Sequence, residues 1–125
     1  MFRNWENIVV VIAEDEQINY LFLKAVLKPT KAKIIWTKTG QETIDICYSE
    51  KVDIVLMDIK MPDLNGLEAT IEIKKDYPNL PIIAQTAYAM EEDEEASTNA
   101  GCDDYISKPI RPENLLIKMS RFITD

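Results

Sequence analysis

The central stretch of the sequence is Val52-Asp-Ile-Val-Leu-Met-Asp-Ile-Lys-Met-Pro-Asp-Leu-Asn-Gly66. Its apolar run, Ile54 to Met57, is typical of a strand that is buried on both faces of a parallel sheet, and the run stops at the carboxylate of Asp58. A loop follows, because Pro62 and Asn65-Gly66 interrupt the strand pattern. Asp58 is therefore predicted at the carboxyl end of a central strand, where open α/β sheets place their ligands. An N-cap of the next helix is the alternative role, but that helix is predicted to begin near Gly66, beyond the reach of Asp58.

The composition indicates one domain of 125 residues, long enough to bury roughly two-thirds of its unfolded surface. A net charge of −8 argues against direct binding to nucleic acid, whose phosphates require clusters of lysine and arginine. Cys47 and Cys102 form no C-x-x-C motif, and the chain has no histidine. This argues against a zinc site, a haem site and a histidine base, and it favours a reducing, cytoplasmic setting. No apolar run approaches the ~20 residues of a membrane span and the N-terminus lacks a signal-peptide core, so we expect no membrane contact by this chain.

Five strand-like runs alternate with five helix-like runs. The predicted strands are Ile8 to Ala13, Lys33 to Thr37, Ile54 to Met57, Leu80 to Thr86 and Asp104 to Ser107. The predicted helices are Ile18 to Lys28, Gly40 to Ser49, Leu67 to Asp76, Met90 to Ala100 and Pro112 to Ile123. This alternation predicts a doubly wound (βα)5 fold, with a five-stranded parallel sheet and helices on both faces. We expect residues 1–125 to form a single domain, with 1–6 as a short N-terminal lead.

In two of the predicted helices the apolar residues do not define a single buried face. The first helix has a main stripe and a second apolar set outside it; the main stripe is Ile18, Leu21, Phe22, Ala25 and Val26, and the second set is Tyr20, Leu23 and Leu27. The second set is either an exposed docking face or part of a wider buried stripe. In the third helix the predicted apolar positions are Leu67, Ile71 and Ile73, although Ile73 fits that face poorly.

Polar residues end four of the predicted strands, and the strand ends meet at one edge of a parallel sheet. That edge collects Glu14, Asp15, Asp58, Thr86 and Lys108. Three carboxylates in one cleft repel each other, so the arrangement is stable only if a proton or a cation offsets the charge, and an all-oxygen ligand set suits Mg²⁺. A carboxylate nucleophile, a cation and a lysine predict phosphoryl transfer onto Asp58 as an aspartyl phosphate. Singly, Asp15 could cap a helix, Thr86 could be an ordinary strand end and Lys108 a solvated charge.

These residues resemble the receiver domains of two-component response regulators over essentially the whole chain. The matching motifs are Val11-Ile-Ala-Glu-Asp-Glu16, Leu56-Met-Asp-Ile-Lys-Met-Pro62, Gln85-Thr-Ala87 and Asp104-Tyr-Ile-Ser-Lys-Pro109. The resemblance implies the strand order 2-1-3-4-5 and a His-to-Asp phosphorelay in which the domain catalyses its own phosphorylation and dephosphorylation without being a conventional enzyme. It implies that Asp58 is the phospho-acceptor, that Glu14 and Asp15 form the acidic pocket, and that Mg²⁺ is bound by Asp15, Asp58 and the backbone carbonyl of Lys60. Thr86 and Lys108 are implied to contact the phosphoryl group, and Thr86 and Tyr105 to form the switch pair. The peptide bond before Pro109 is implied to be cis.

The sequence departs from the family pattern at Glu14, where many members carry aspartate. The longer side chain of Glu14 is expected to reach the metal through water. Lys60 and Tyr88 occupy two variable positions that influence dephosphorylation in the family, and we hypothesise that this bulky pair shields the phosphoryl group from water. Phosphorylation is expected to turn the Thr86 hydroxyl toward a phosphoryl oxygen and to let Tyr105 rotate inward.

The resemblance also implies partners. A histidine kinase or a histidine phosphotransfer protein would donate the phosphoryl group, and the face formed by the fourth helix, fifth strand and fifth helix could form a homodimer. Two stretches, Glu14-Asp-Glu-Gln-Ile-Asn-Tyr20 and Thr86-Ala-Tyr-Ala-Met90, are similar to receivers attached to hybrid sensor histidine kinases. The chain could therefore be a stand-alone regulator or one module of such a kinase.

Three alternative functions require residues or motifs that can be compared with this sequence. A phosphatase of the haloacid dehalogenase class would carry a second aspartate two residues after its nucleophile, where this chain has Lys60. A flavin-binding module would need a phosphate loop after the first strand, where Glu14-Asp15-Glu16 would repel a phosphate. A receiver-like module that acts by contact without phosphorylation remains the main alternative, although it has no need for the joint set of Asp15, Asp58, Thr86 and Lys108.

Overall fold

The fold is a five-stranded parallel sheet covered by helices on both faces. A computed structural model describes residues 3–87 and 91–123, without the side chains of residues 91 and 92. The strands are β1 (Val9–Ala13), β2 (Lys33–Thr37), β3 (Ile54–Asp58), β4 (Ile82–Thr86) and β5 (Asp104–Ser107). The helices are α1 (Gln17–Leu27), α2 (Gly40–Ser49), α3 (Gly66–Asp76), α4 (Glu91–Ala100) and α5 (Pro112–Ser120), with a short 3-10 turn over Lys28–Thr30. The predicted elements are all present, with ends that differ by a few residues where the structure describes them; Met90, the predicted start of the fourth helix, lies outside the described residues. Every helix within the described ranges is too short or too polar to span a membrane.

The strand order is β2-β1-β3-β4-β5, and all four pairings are parallel. This confirms the predicted order and places β3 in the centre. In the register of the sheet Asp58 lies beside Gln85, and Thr86 lies beside Ser107. The carboxyl ends of the central strands are therefore level with each other, which is the arrangement that a shared site requires.

The central strands are fully buried because helices cover both faces of the sheet. Alternate side chains enter two separate core layers. One layer lies under α1 and α5 and includes Ile12, Leu56 and Leu115, and the other lies under α2 and α3 and includes Val55 and Ile73. Each such side chain contributes about 1.5–3 kcal/mol by leaving water. Trp5 of the N-terminal lead belongs to the first layer, where it is 1% exposed.

The loop after β3 ends at a well-defined helix start. Asn65 caps α3 by accepting a hydrogen bond from the Glu68 amide, and the Glu68 side chain accepts one from the Asn65 amide in return. Gly66 follows, and a Cβ at this position would lie 2.2 Å from the carbonyl oxygen of Asp58. Only glycine lets α3 begin this close to the end of β3. Asp58 does not cap α3, in agreement with the sequence argument.

The orientation of α1 is opposite to the one predicted. The expected main stripe is largely exposed, with Ile18 80%, Leu21 48% and Phe22 42% accessible. The residues that are buried are Tyr20, Leu23 and Leu27, so this set is not the exposed docking face. Both sets have helical spacing, and spacing alone cannot tell which of two apolar stripes faces the sheet. Contacts decide it: Tyr20 stacks on Trp36 of β2, which turns the second set inward.

The buried face of α3 also differs from the prediction. Ile73 is fully buried and Ile71 is 47% exposed, although the sequence pattern favoured Ile71. The other buried positions of this helix are small, namely Gly66, Ala69 and Thr70. Small side chains let the helix approach the sheet closely, and a pattern that weights bulky apolar residues overlooks such a face.

Candidate functional site

The predicted site residues meet at the carboxyl edge of the sheet. Glu14 and Asp15 follow β1 directly, and Asp58 is the last residue of β3. One carboxylate oxygen from each of the three residues lies within 4.8 Å of the other two. Glu14 and Asp58 are buried, whereas Asp15 is exposed. The structure therefore brings together residues up to 44 positions apart in the sequence, because β1 and β3 are parallel and adjacent.

Lys108 supplies the positive charge at this edge. Its ammonium nitrogen lies 3.4 Å from Glu14 Oε1 and 3.4 Å from Asp58 Oδ2, so it bridges the two buried carboxylates. Backbone amides contact the remaining oxygens: Lys60 N–H donates to Asp58 Oδ1 at 2.9 Å, and Glu16 N–H donates to Glu14 Oε2 at 3.2 Å. One lysine cannot neutralise three carboxylates, so the site keeps a negative charge that favours a cation.

Burial and neighbouring charges in the cleft shift the pKa values of two side chains, Glu14 and Lys108. Burial, followed by the charge of Asp58, raises the pKa of Glu14 from 4.5 to about 7, although the Glu16 amide and Lys108 oppose the shift. Burial alone would lower the pKa of Lys108, but the carboxylates of Asp58 and Glu14 outweigh it and raise this pKa. Lys108 is therefore a permanent cation here, and Glu14 exchanges its proton near neutral pH.

The residues expected to switch or tune the site lie around it. Thr86 ends β4 and is fully buried. Tyr105 of β5 is half-buried and its hydroxyl donates to Glu94 Oε2 at 3.1 Å, a bond that raises the pKa of the phenol. The Lys60 side chain is exposed, and the Lys108–Pro109 peptide bond is cis. Tyr88, the other residue expected to tune dephosphorylation, lies outside the described residues.

A groove lies beside the lysine, between α1 and the segment after β5. It has a volume of about 640 Å³, and apolar side chains from both walls line it, among them Ile18, Phe22, Pro109 and Ile110. Lys108 lies at its edge. The exposed face of α1 and this groove form one continuous apolar surface next to the acidic cluster, which we call the α1 surface.

Two residues near the site were missed in the sequence. Gln85, in the strand run that ends at Thr86, is fully buried, and among the described residues its carboxamide has no hydrogen-bond partner. Its polarity within an apolar run was the available signal. Trp36 of β2 donates its indole N–H to the carbonyl oxygen of Glu14 at 2.7 Å. Nothing in the local sequence of β2 indicates this contact, because Glu14 lies 22 residues earlier.

The cluster fits a hard divalent cation. All the side-chain donors are carboxylate oxygens, the preferred ligands of Mg²⁺, and one of them, Asp15, is open to solvent so that bound water can complete the coordination. A carboxylate at this position, beside a lysine and a cation, can act as a nucleophile toward phosphorus without a general base.

Comparisons with known proteins agree with this geometry. The family model of the response regulator receiver domain matches residues 10–120. The polar-differentiation response regulator DivK of Brucella anthropi is 35% identical over 118 residues, which cover 93% of this chain and 96% of that protein.

Solved structures show the same fold. The receiver domain of the Saccharomyces cerevisiae response regulator Ssk1, crystallised with the histidine phosphotransfer protein Ypd1, superposes with a TM-score of 0.88 at 28% identity, covering 98% of this chain and 90% of that one. The receiver domain of the sensor histidine kinase PA1611 from Pseudomonas aeruginosa, which holds a magnesium ion in its active-site cleft, superposes with a TM-score of 0.85 at 29% identity, covering 91% of this chain and 95% of that one. The chain therefore belongs to the response regulator receiver domains of two-component signalling.

Proposed function

We propose that the chain accepts a phosphoryl group on Asp58 in a Mg²⁺-dependent reaction. Phosphorylation then shifts the domain to an active conformation that a partner protein recognises. The observation that carries this proposal is the cluster of Glu14, Asp15 and Asp58 with Lys108 between the two buried carboxylates. A cytoplasmic setting belongs to the proposal, and the two unpaired cysteines, Cys47 and Cys102, are in keeping with it.

Asp15, Asp58 and the backbone carbonyl of Lys60 would hold the metal, with Glu14 contributing through water. When bound, Mg²⁺ supplies positive charge that offsets the charge of the phosphoryl oxygens. The acidic cluster supports this assignment, as does the magnesium ion in the cleft of the PA1611 receiver.

The reaction is a transfer from a phosphohistidine. An oxygen of Asp58 attacks phosphorus, the N–P bond of the donor breaks, and its electron pair stays on the imidazole nitrogen. The Lys60 amide, which donates to Asp58 Oδ1, would hold Asp58 for this attack, and Lys108, which lies 3.4 Å from Asp58 Oδ2, would contact a phosphoryl oxygen. The Thr86 hydroxyl would contact another. Hydrolysis of the aspartyl phosphate by the same site completes the cycle.

We further propose that phosphorylation shifts the Thr86–Tyr105 pair. Tyr105 is half-buried and bonded to Glu94, so inward rotation must break that hydrogen bond and release α4. The face formed by α4, β5 and α5 would then change, and with it any homodimer through this face. The NMR resonances of the Tyr105 ring, compared before and after phosphorylation, test this step; unchanged resonances would contradict it.

The phosphoryl donor is proposed to be a histidine kinase or a histidine phosphotransfer protein that docks on the α1 surface. An apolar helix face that is exposed beside the acceptor suits a helical partner. Ile18, Leu21 and Phe22 supply this face, and the Ssk1 receiver in complex with Ypd1 is a precedent for such a partner.

Lys60 and Tyr88 are proposed to slow dephosphorylation by shielding the phosphoryl group. A double variant, Lys60→Asn with Tyr88→Ala, should lose its phosphoryl group faster than the wild type. A rate that changes little would remove this part of the proposal.

The decisive experiment is intact mass after incubation with acetyl phosphate, with and without Mg²⁺, alongside Asp58→Asn. A single Mg²⁺-dependent phosphoryl adduct that is absent from the variant is the expected result. No adduct on the folded protein would instead favour a module that acts by contact alone.

Docking is tested separately with phosphorylated Ypd1 as the donor. Phe22→Ala should slow this transfer and leave labelling by acetyl phosphate unchanged, because a small donor does not use the α1 surface. Tyr48→Ala is the matched control, since Tyr48 is a similarly exposed aromatic residue, 45% accessible, on α2. Equal slowing in both variants would contradict docking on the α1 surface.

A further inference from the structure

We propose that Trp36 is a positioning residue for the acidic cluster and sets its affinity for Mg²⁺ without touching the metal. This inference rests on the proposed metal site. Trp36 lies on β2, an edge strand, and its side chain reaches across the end of β1 to the segment that carries Glu14 and Asp15.

The contact is a short hydrogen bond to the backbone. The indole N–H of Trp36 donates to the carbonyl oxygen of Glu14 at 2.7 Å. The backbone N–H of Glu14 donates to the carbonyl oxygen of Thr37 at 2.9 Å. Neighbouring residues of β2 thus hold both polar backbone groups of Glu14.

The bond matters to the metal because of peptide geometry. The carbonyl of Glu14 belongs to the same planar peptide unit as the amide nitrogen of Asp15, so the indole restrains the rotation of that whole unit. Its rotation sets the direction in which both acidic side chains leave the backbone. Asp15 is the exposed member of the cluster, and the described contacts include no hydrogen bond that holds its carboxylate. Among the described contacts, only those of the backbone therefore position Asp15.

The indole is itself held in place. Its ring stacks on Tyr20 of α1 with centroids 4.0 Å apart and planes 2° from parallel, and the ammonium of Lys38 lies 4.6 Å from the ring centroid. A donor fixed in this way loses little freedom when it bonds, which makes it an effective restraint.

A purely structural role is the alternative, because a half-buried tryptophan commonly satisfies its N–H with any nearby acceptor. The two roles differ in what Trp36→Phe changes. Phenylalanine keeps an aromatic ring against Tyr20 and removes the donor. A structural role predicts lower stability with unchanged metal affinity, whereas a positioning role predicts weaker metal binding as well.

The experiment is urea unfolding of the full chain over a series of Mg²⁺ concentrations. The metal-dependent gain in stability follows RT ln(1 + [Mg²⁺]/Kd) and so gives Kd independently of the metal-free stability. We expect Trp36→Phe to raise Kd about tenfold, at the lower end of the range for outer partners of metal ligands. Ile73→Val is the matched control, a core variant in the other layer that lowers stability and should leave Kd within about twofold of the wild type.

The outcomes separate this inference from the proposed function. A wild type that gains no stability from Mg²⁺ overturns the metal site and this inference with it. A wild type that binds Mg²⁺ and a Trp36→Phe variant with the same Kd overturn only the role of Trp36. If Trp36→Phe does not fold, a benzothiophene analogue of tryptophan at position 36 replaces the N–H by sulfur with little change of shape, and the same two results apply to it.

Discussion

Replacing Glu14 by glutamine should stabilise the metal-free protein, and the gain should depend on pH. Glu14 is fully buried, and the cleft raises its pKa from 4.5 to about 7, chiefly through burial and the charge of Asp58. The folded state therefore holds a proton on Glu14 at pH values where the unfolded chain has lost it. Since the folded pKa is the higher one, this group lowers stability as pH rises through the window from 4.5 to 7.

The magnitude follows from the shift. A rise from 4.5 to about 7 corresponds, at about 1.36 kcal/mol per pKa unit, to about 3 kcal/mol of stability that the wild type lacks above pH 7. Glutamine has a similar shape, keeps an oxygen to accept from the Glu16 amide, and needs no desolvation of a charge. Lys108 keeps its contact with Asp58. Glu14→Gln should therefore gain up to about 3 kcal/mol at pH 8 and little near pH 4.5.

The assay is urea unfolding in EDTA at pH 5 and pH 8. Glu6→Gln, at an exposed position, is the control for the loss of one negative charge and should differ from the wild type by less than about 0.5 kcal/mol. A Glu14→Gln variant that is less stable than the wild type at pH 8, or that gains as much at pH 5, would refute this account of the buried carboxylate.

Three further substitutions test the structure by the same urea measurement. Gln85→Met should raise the free energy of unfolding by about 1 kcal/mol, because it removes a buried carboxamide without a described partner; a loss of stability would reveal a hidden partner. Asn65→Ala should cost about 1 kcal/mol by removing the cap of α3, and no loss would mean that the cap is replaced by water. Asp103→Ala should cost about 2 kcal/mol, because one Asp103 oxygen accepts from the Ile82 amide and from Lys74, each at 2.8 Å; a loss below about 0.5 kcal/mol would contradict the importance of these bonds.

Most of the fold was predictable because its signals are local. Short apolar runs such as Ile54 to Met57 are typical of strands buried on both faces of a parallel sheet, and their alternation with helices then indicates short right-handed crossovers. The positions of the site residues were predictable for the same reason: Asp58 ends β3, Lys108 directly follows β5, and parallel strands end at one edge.

Which face of a helix packs against the sheet was not predictable, because it depends on neighbours distant in the sequence. The first helix carries two apolar stripes with helical spacing. The stacking of Tyr20 on Trp36 buries one of them and leaves Ile18 and Phe22 of the other exposed. The third helix turns Ile73 inward because small residues beside it permit close packing.

The sequence by itself determined which chemical groups lie at the carboxyl edge of the sheet, because strand ends are local features. Only the tertiary structure decided how those groups behave. The burial that raises the pKa of Glu14, the bridge that Lys108 makes to Asp58 and the hold of Trp36 on the Glu14 carbonyl all depend on distances between strands. Such distances are set by packing, for which no single stretch of the chain carries the information.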